Sequence, residues 1–125
     1  MSIKNWINNV LGKNRMFIIS AEDNETYAQK YYAVEASSQN AAYRKVTEID
    51  KDSSGYKLVG IVDEDVIITS QSPYYVHVVA SPVNKNILIT APHDTVENII
   101  KYKYEGRRSC TIFGIHLYEI TKILH

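Results

Sequence analysis

The stretch KYYAVEASSQNAAYRKVTEIDKDSSGYKLVGIVDED, residues 30–65, decides how the chain is read. Its opening YYAVEA, residues 31–36, is apolar and aromatic and predicts a strand. Ser37 or Ser38 then offers a side-chain oxygen to the unpaired N–H groups of a helix start. Ala42, Val46 and Ile49 follow at helical spacing and predict one buried stripe. Residues 50–55 are rich in Asp, Ser and Gly and stop the helix. Residues 56–62 read as a second strand with Gly60 inside it. A glycine there weakens a strand, so it marks a bulge or a close backbone approach.

A similar unit runs from Lys85 to Ile120. ILITA, residues 87–91, leads into a helical pattern that ends before Gly106, and a strand follows with Gly114-Ile115. The Gly60-Ile61 and Gly114-Ile115 pairs each follow two apolar residues and precede an acid, Asp65 or Glu119. The match raises an internal duplication, against the plainer alternative that any two strand–helix–strand units look alike.

Working outward, residues 16–20 form an apolar strand and residues 21–29 a polar loop. Residues 66–69 are a short strand after the charged corner Asp63-Glu64-Asp65, and residues 70–73 a seam between halves. Residues 74–80 alternate: Tyr74, Val76, Val78 and Ala80 face one way, and Tyr75, His77 and Val79 the other. Pro92 suits a first helical turn, and Asp94 with Glu97 has the spacing of a capping box. Val96, Ile99 and Ile100 are the apolar stripe of that helix. Residues 109–124 read as one long strand bent near Gly114.

In front stands an amphipathic helix over residues 2–12. Ile3, Trp6, Ile7, Val10 and Leu11 share one stripe, Ser2 can cap it and Gly12 can stop it. So short a helix is marginal alone and needs a surface to pack on. The expected organisation is residues 1–14 as this helix and residues 15–125 as a single domain, with candidate repeats 15–69 and 73–121. The fold class expected is α+β, a mostly antiparallel sheet with helices packed on it.

A chain of 125 residues buries roughly two-thirds of its unfolded surface, enough for a core without staples. Its net charge is +0, so no overall field draws it to nucleic acid or anionic lipid. No apolar run is long enough to span a bilayer. The lone Cys110 fits a reducing compartment, and the expected location is the cytoplasm. Tyr is abundant, at 10 against 2 Phe and 1 Trp. That residue favours interfaces and half-exposed sheets, because its ring is apolar and its tip polar.

The sharpest local feature is Lys101, Tyr102, Lys103, Tyr104, Glu105, Gly106, Arg107 and Arg108. Its cations suit phosphates and its rings suit base stacking. The same cations also suit an ordinary helix C-terminus. Cys110 follows Arg107 and Arg108, which could lower its thiol pKa, but a strand cysteine is usually inert. His77, His93 and His116 lack the spacing of a local metal-ligand pair, and the acidic corner lacks the calcium-loop pattern. No metal and no cofactor is expected.

His93-Asp94-Thr95 has the H-x-T form and resembles the motif of two-histidine phosphoesterases, which also have two similar halves. The resemblance covers these three residues and implies a hydrolase using His93 and Thr95. That family carries a second H-x-T or H-x-S. Here the first half has Ser38-Gln39-Asn40 at the matching place, and His77 is followed by Val78-Val79.

Three functions therefore compete. The favoured one is a small non-enzymatic interaction or regulatory protein of the kind phages and plasmids encode as inhibitors. It would form homo-oligomers and bind a protein partner through a Tyr-rich sheet face or groove. The second is a binder of nucleic acid, a nucleotide or another phosphorylated ligand through residues 101–108. The remotest is the phosphoesterase.

Overall fold

The computed structural model describes residues 14–69, 74–82, 85–100, 109–112 and 115–125. Nine strands and two helices run in the order β1 (Arg15–Asp23), β2 (Gln29–Ala36), α1 (Gln39–Ile49), β3 (Ser53–Ile61), β4 (Glu64–Ile67), β5 (Tyr75–Ser81), β6 (Ile87–Pro92), α2 (His93–Ile100), β7 (Ser109–Ile112), β8 (Ile115–Glu119) and β9 (Lys122–Leu124) among the described residues. The class is α+β and mostly antiparallel, as the strand and helix patterns predict.

The strands form two sheets, where a single one was expected. The first has the order β3-β1-β2-β9 and the second β4-β6-β5-β8-β7. β1 explains why. Phe17, Ile19 and Ala21 pack with Ala42 and Val46 of α1. Ile18, on the other face, packs with Val79 and Leu88 of the second sheet. A strand apolar on both faces needs cover on both sides. In the second sheet, Val78 and Ala80 pack with Val96 of α2. The layers are thus helix, sheet, sheet, helix.

Local chemistry sets the boundaries. Ser38 caps α1 by accepting the Ala41 N–H at 3.1 Å. The 21–29 loop is shorter than expected: β1 runs on to Asp23 because Ala21 and Glu22 pair with Lys30 and Gln29. The Asp23 carboxylate then takes the Glu25 and Thr26 N–H groups, both at 2.9 Å, and closes the turn. The α1 stripe stops at Val46. Ile49 is 48% exposed, because the chain turns at Asp50 and sends that carboxylate inward instead.

Pro92 ends β6, paired with Tyr75, and does not open α2. A strand end tolerates proline because no further ladder N–H is required there. The capping box does not form either. Asp94 accepts the Thr95 N–H at 3.0 Å, and Glu97 faces His93. The long final strand is three: β7 and β8 are an antiparallel pair, and β9 crosses to the first sheet.

The two halves exchange strands. After β3, β4 leaves its own sheet and pairs in parallel with β6. After β8, β9 leaves and pairs in parallel with β2. The crossings match bond for bond. Val62 N–H donates to Met16 O at 2.8 Å and Ile120 N–H to His77 O at 2.9 Å. Asp63 N–H donates to Asn86 O and Thr121 N–H to Tyr31 O, both at 2.8 Å. This register places Ile61 opposite Phe17 and Glu119 opposite Val78. Ile61 therefore corresponds to Glu119. The Gly-Ile pairs of the sequence are four residues out of step with the strand pairing.

Candidate functional site

The crossing of β4 to the second sheet leaves an open groove of about 830 Å³, lined by residues 14–16, Glu35 and residues 61–65. Its walls come from the start of β1, the end of β2 and the β3–β4 corner. Four carboxylates line it, those of Glu35, Asp63, Glu64 and Asp65, against the single guanidinium of Arg15. Met16, Ile61 and Val62 supply its apolar part.

Each acid is held in a different way. Glu35 lies 3.1 Å from His125 Nδ1 and 3.5 Å from Asn14 Nδ2. The His125 hydrogen bond and then the Asn14 one hold its carboxyl below the usual range. Asp63 accepts the Asn86 N–H at 2.8 Å. Glu64 meets Lys85 at 3.4 Å, both side chains being exposed. Asp65 pairs with Leu88 across the β4–β6 ladder. The groove is suited to a positively charged ligand, and an anion would meet like charge.

A second hollow of about 530 Å³ lies at the start of α2, lined by Tyr74, Tyr75, Val76, His93 and Asp94. His93 begins α2 and its Nε2 sits 3.5 Å from Glu97 Oε1. Thr95 is two residues into the same helix. His77 lies on a different strand, its Nδ1 2.8 Å from Thr90 Oγ1. His116 stacks on Tyr118, with centroids 4.3 Å apart. Among the described residues, no three of His, Cys, Asp and Glu gather to hold a metal ion.

A third cluster has the parts of a Ser–Lys pair. Lys30 Nζ is 3.0 Å from Ser53 Oγ, 3.0 Å from Asp23 and 3.2 Å from Asp50. A lysine base must shed its proton, and the hydrogen bond that Lys30 donates to Asp23, reinforced by Asp50, pushes its pKa up. The Asp50 carboxylate also accepts from Tyr32 at 2.5 Å and Ser53 at 2.8 Å. The cluster ties the end of α1 to β2 and β3.

Tyr31 and Tyr32 are buried, and Tyr31 packs on Tyr118 with centroids 4.9 Å apart. Among the described residues, the exposed tyrosines are Tyr27, Tyr74 and Tyr75. Lys101, Tyr102, Lys103, Tyr104, Arg107 and Arg108 lie outside the described residues, as do Ile3, Trp6, Ile7, Val10 and Leu11. Cys110 pairs with Leu117 in the β7–β8 ladder. No helix among the described residues is long and apolar enough to cross a membrane.

The groove was missed in the sequence. Asp63-Glu64-Asp65 reads there as a solvated corner, and nothing local says that Glu35 and Asn14 face it. Compared with protein-family models, curated proteins and solved structures, the chain has no significant match.

Proposed function

We propose that this chain is a non-enzymatic interaction protein that binds a positively charged segment of a protein partner in the groove between its sheets. The observation carrying this reading is the set of four carboxylates, brought from β2, β4 and the corner before β4 to one open groove that also has apolar walls. The pairing narrows the expected Tyr-rich surface. Tyr31 and Tyr32 are buried, so tyrosines would contribute at the separate hollow lined by Tyr74 and Tyr75. Self-association belongs to the same reading, with native mass spectrometry as its measure. The matching registers favour an origin of both halves from one strand–strand–helix–strand unit.

The test uses a short oligolysine peptide as probe, titrated calorimetrically into the protein. Binding should weaken steeply as salt rises, because exposed charges are screened. The double variant Glu35→Lys, Asp65→Lys should lose it. Equal binding by that variant, or no binding by the parent, would reject the reading.

The phosphate-binding alternative would use Lys101, Lys103, Arg107 and Arg108, with Tyr102 or Tyr104 stacking. It calls for nucleotide-sized adducts in native mass spectra and their loss on charge reversal at Arg107 and Arg108. The phosphoesterase reading would need His93→Ala to abolish turnover with the fold intact. The exposed His93–Glu97 pair gives it little support.

A further inference from the structure

β4 is an edge strand. It pairs with β6 and, among the described residues, with no other strand. The N–H groups of Glu64 and Ile68 donate to Asn86 O at 3.4 Å and to Thr90 O at 2.8 Å. Backbone N–H and C=O groups alternate sides along a strand, so those of Asp65 and Ile67 point away from β6, out of the sheet edge. Both residues are exposed, Ile67 by 66%. Glu64 and Asp65 send their side chains to opposite faces of the sheet, yet both line the acidic groove. The groove therefore follows the edge of β4 and does not lie over one face. Another of its walls is the start of β1, which β3 leaves once Val62 N–H has bonded Met16 O. One residue further, Arg15 pairs with Ala36 of β2 and, among the described residues, has no strand partner on its other side.

An open strand edge is a template for another strand. β3, the long edge strand of the first sheet, carries two register slips against β1, of the kind that twist an edge away from pairing. The β4–β6 ladder runs from Glu64 to Ile67 without a slip. The acids beside that edge select what can occupy it. A second copy of β4 would bring its own Glu64 and Asp65 against the same carboxylates, and like charges repel. A cationic strand is attracted by Glu35, Asp63, Glu64 and Asp65 together. We propose that the positively charged partner segment binds in extended form, as a strand added along β4. Its backbone bonds the outward N–H and C=O groups of Asp65 and Ile67, and it sets a cation opposite Asp65. The proposal rests on the partner-binding reading of the groove and specifies how the segment lies in it.

The probe is a short peptide of alternating lysine and valine, added to the full chain and followed by calorimetry and by amide exchange in NMR spectra. In the protein alone, the Asp65 and Ile67 amides should exchange freely. Saturating peptide should slow both several-fold, a readout that does not depend on how a variant folds. Ile67→Pro removes one outward N–H at an edge position that tolerates proline, so it should weaken binding several-fold with the circular dichroism unchanged. Ile67→Ala keeps that N–H and should lose less. Binding that leaves both amides exchanging freely would overturn strand addition while the charge-based reading of the groove stands. No binding at all would overturn both. Slow exchange of both amides before peptide is added would show the edge already covered, and would overturn the proposal as well.

Discussion

Gly60 and Asn86 touch where the two halves of the chain cross. A Cβ built on Gly60 would lie 2.4 Å from Asn86 Nδ2, closer than a side chain can approach. Asn86 uses that space to donate to Ile61 O at 3.2 Å, while its backbone N–H binds Asp63 and its carbonyl accepts from Asp63 N–H. Gly60→Ala should therefore cost about 1–3 kcal/mol by overpacking. Shortening the neighbour in Gly60→Ala, Asn86→Ala should return part of it, so that the two losses are not additive in a urea-denaturation cycle.

Asp50 should be the most costly polar residue to remove. Its carboxylate takes hydrogen bonds from Tyr32, Ser53 and Lys30 with its side chain 8% exposed. Asp50→Ala leaves those donors without it, and about 3 kcal/mol of stability should go. The figure sits at the low end of the range because Lys30 keeps Asp23. Asp50→Asn should cost less, since one acceptor oxygen remains.

The same cluster sets the acid limit of the fold. The Thr26 N–H, followed by Lys30, holds Asp23 below its ordinary value. At Asp50 burial works the other way, but the hydrogen bonds from Tyr32, Ser53 and Lys30 outweigh it and the pKa is again lowered. Folded carboxyls that protonate below 3.8 contribute stability that is complete above that value. It is lost as pH falls below 3.8 towards their folded values. Melting temperature should drop in that window, and Asp50→Asn should flatten the slope.

His77 should respond in a higher window. Burial pushes its imidazole below 6.5, with Asp65 opposing weakly. The unfolded chain then takes up a proton before the folded one does. Stability is complete above 6.5 and falls as pH drops through that value towards the folded pKa. An NMR titration of the His77 ring should give a midpoint below that of a free histidine. A midpoint at or above 6.5 would show that Asp65 dominates instead.

β9 should be protected despite lying at residues 122–124. Ile123 packs between the sheets and Leu124 against the α1 side. Leu124→Ala should cost about 1–2 kcal/mol, part of the price of truncating a fully buried leucine. Truncation before Lys122 should also raise hydrogen exchange in β2, whose Tyr32, Ala33 and Val34 pair with β9. Unchanged exchange in β2 would mean that β9 does not hold the sheet.

The elements that local chemistry specifies were the legible ones. Ser38 reads as a helix cap and is one, and alternation in residues 74–80 gives the two faces of β5 correctly. Gly60 reads as a bulge or a close approach; the β1–β3 register slips beside it, between Ile18 and Ile19, and its close neighbour is Asn86. Ile49 and Pro92 were misplaced by spacing rules that are blind to where the chain turns. The groove was illegible because Glu35, Asn14 and Asp65 are far apart in sequence and meet only after β4 crosses over.

The sequence by itself determined the class: short apolar strands, two helices between them, and caps and turns where Ser, Asp and Gly stand. These follow from interactions within a few residues. Tertiary structure alone decided that there are two sheets, that β4 and β9 change places, and that four acids share one groove. Parallel pairings such as Glu64 with Ile87 and Lys122 with Tyr32 join residues far apart along the chain. Backbone hydrogen bonding carries no side-chain signature of its partner, so burial of the shared core around Ile18 and Val79 selects the pairing.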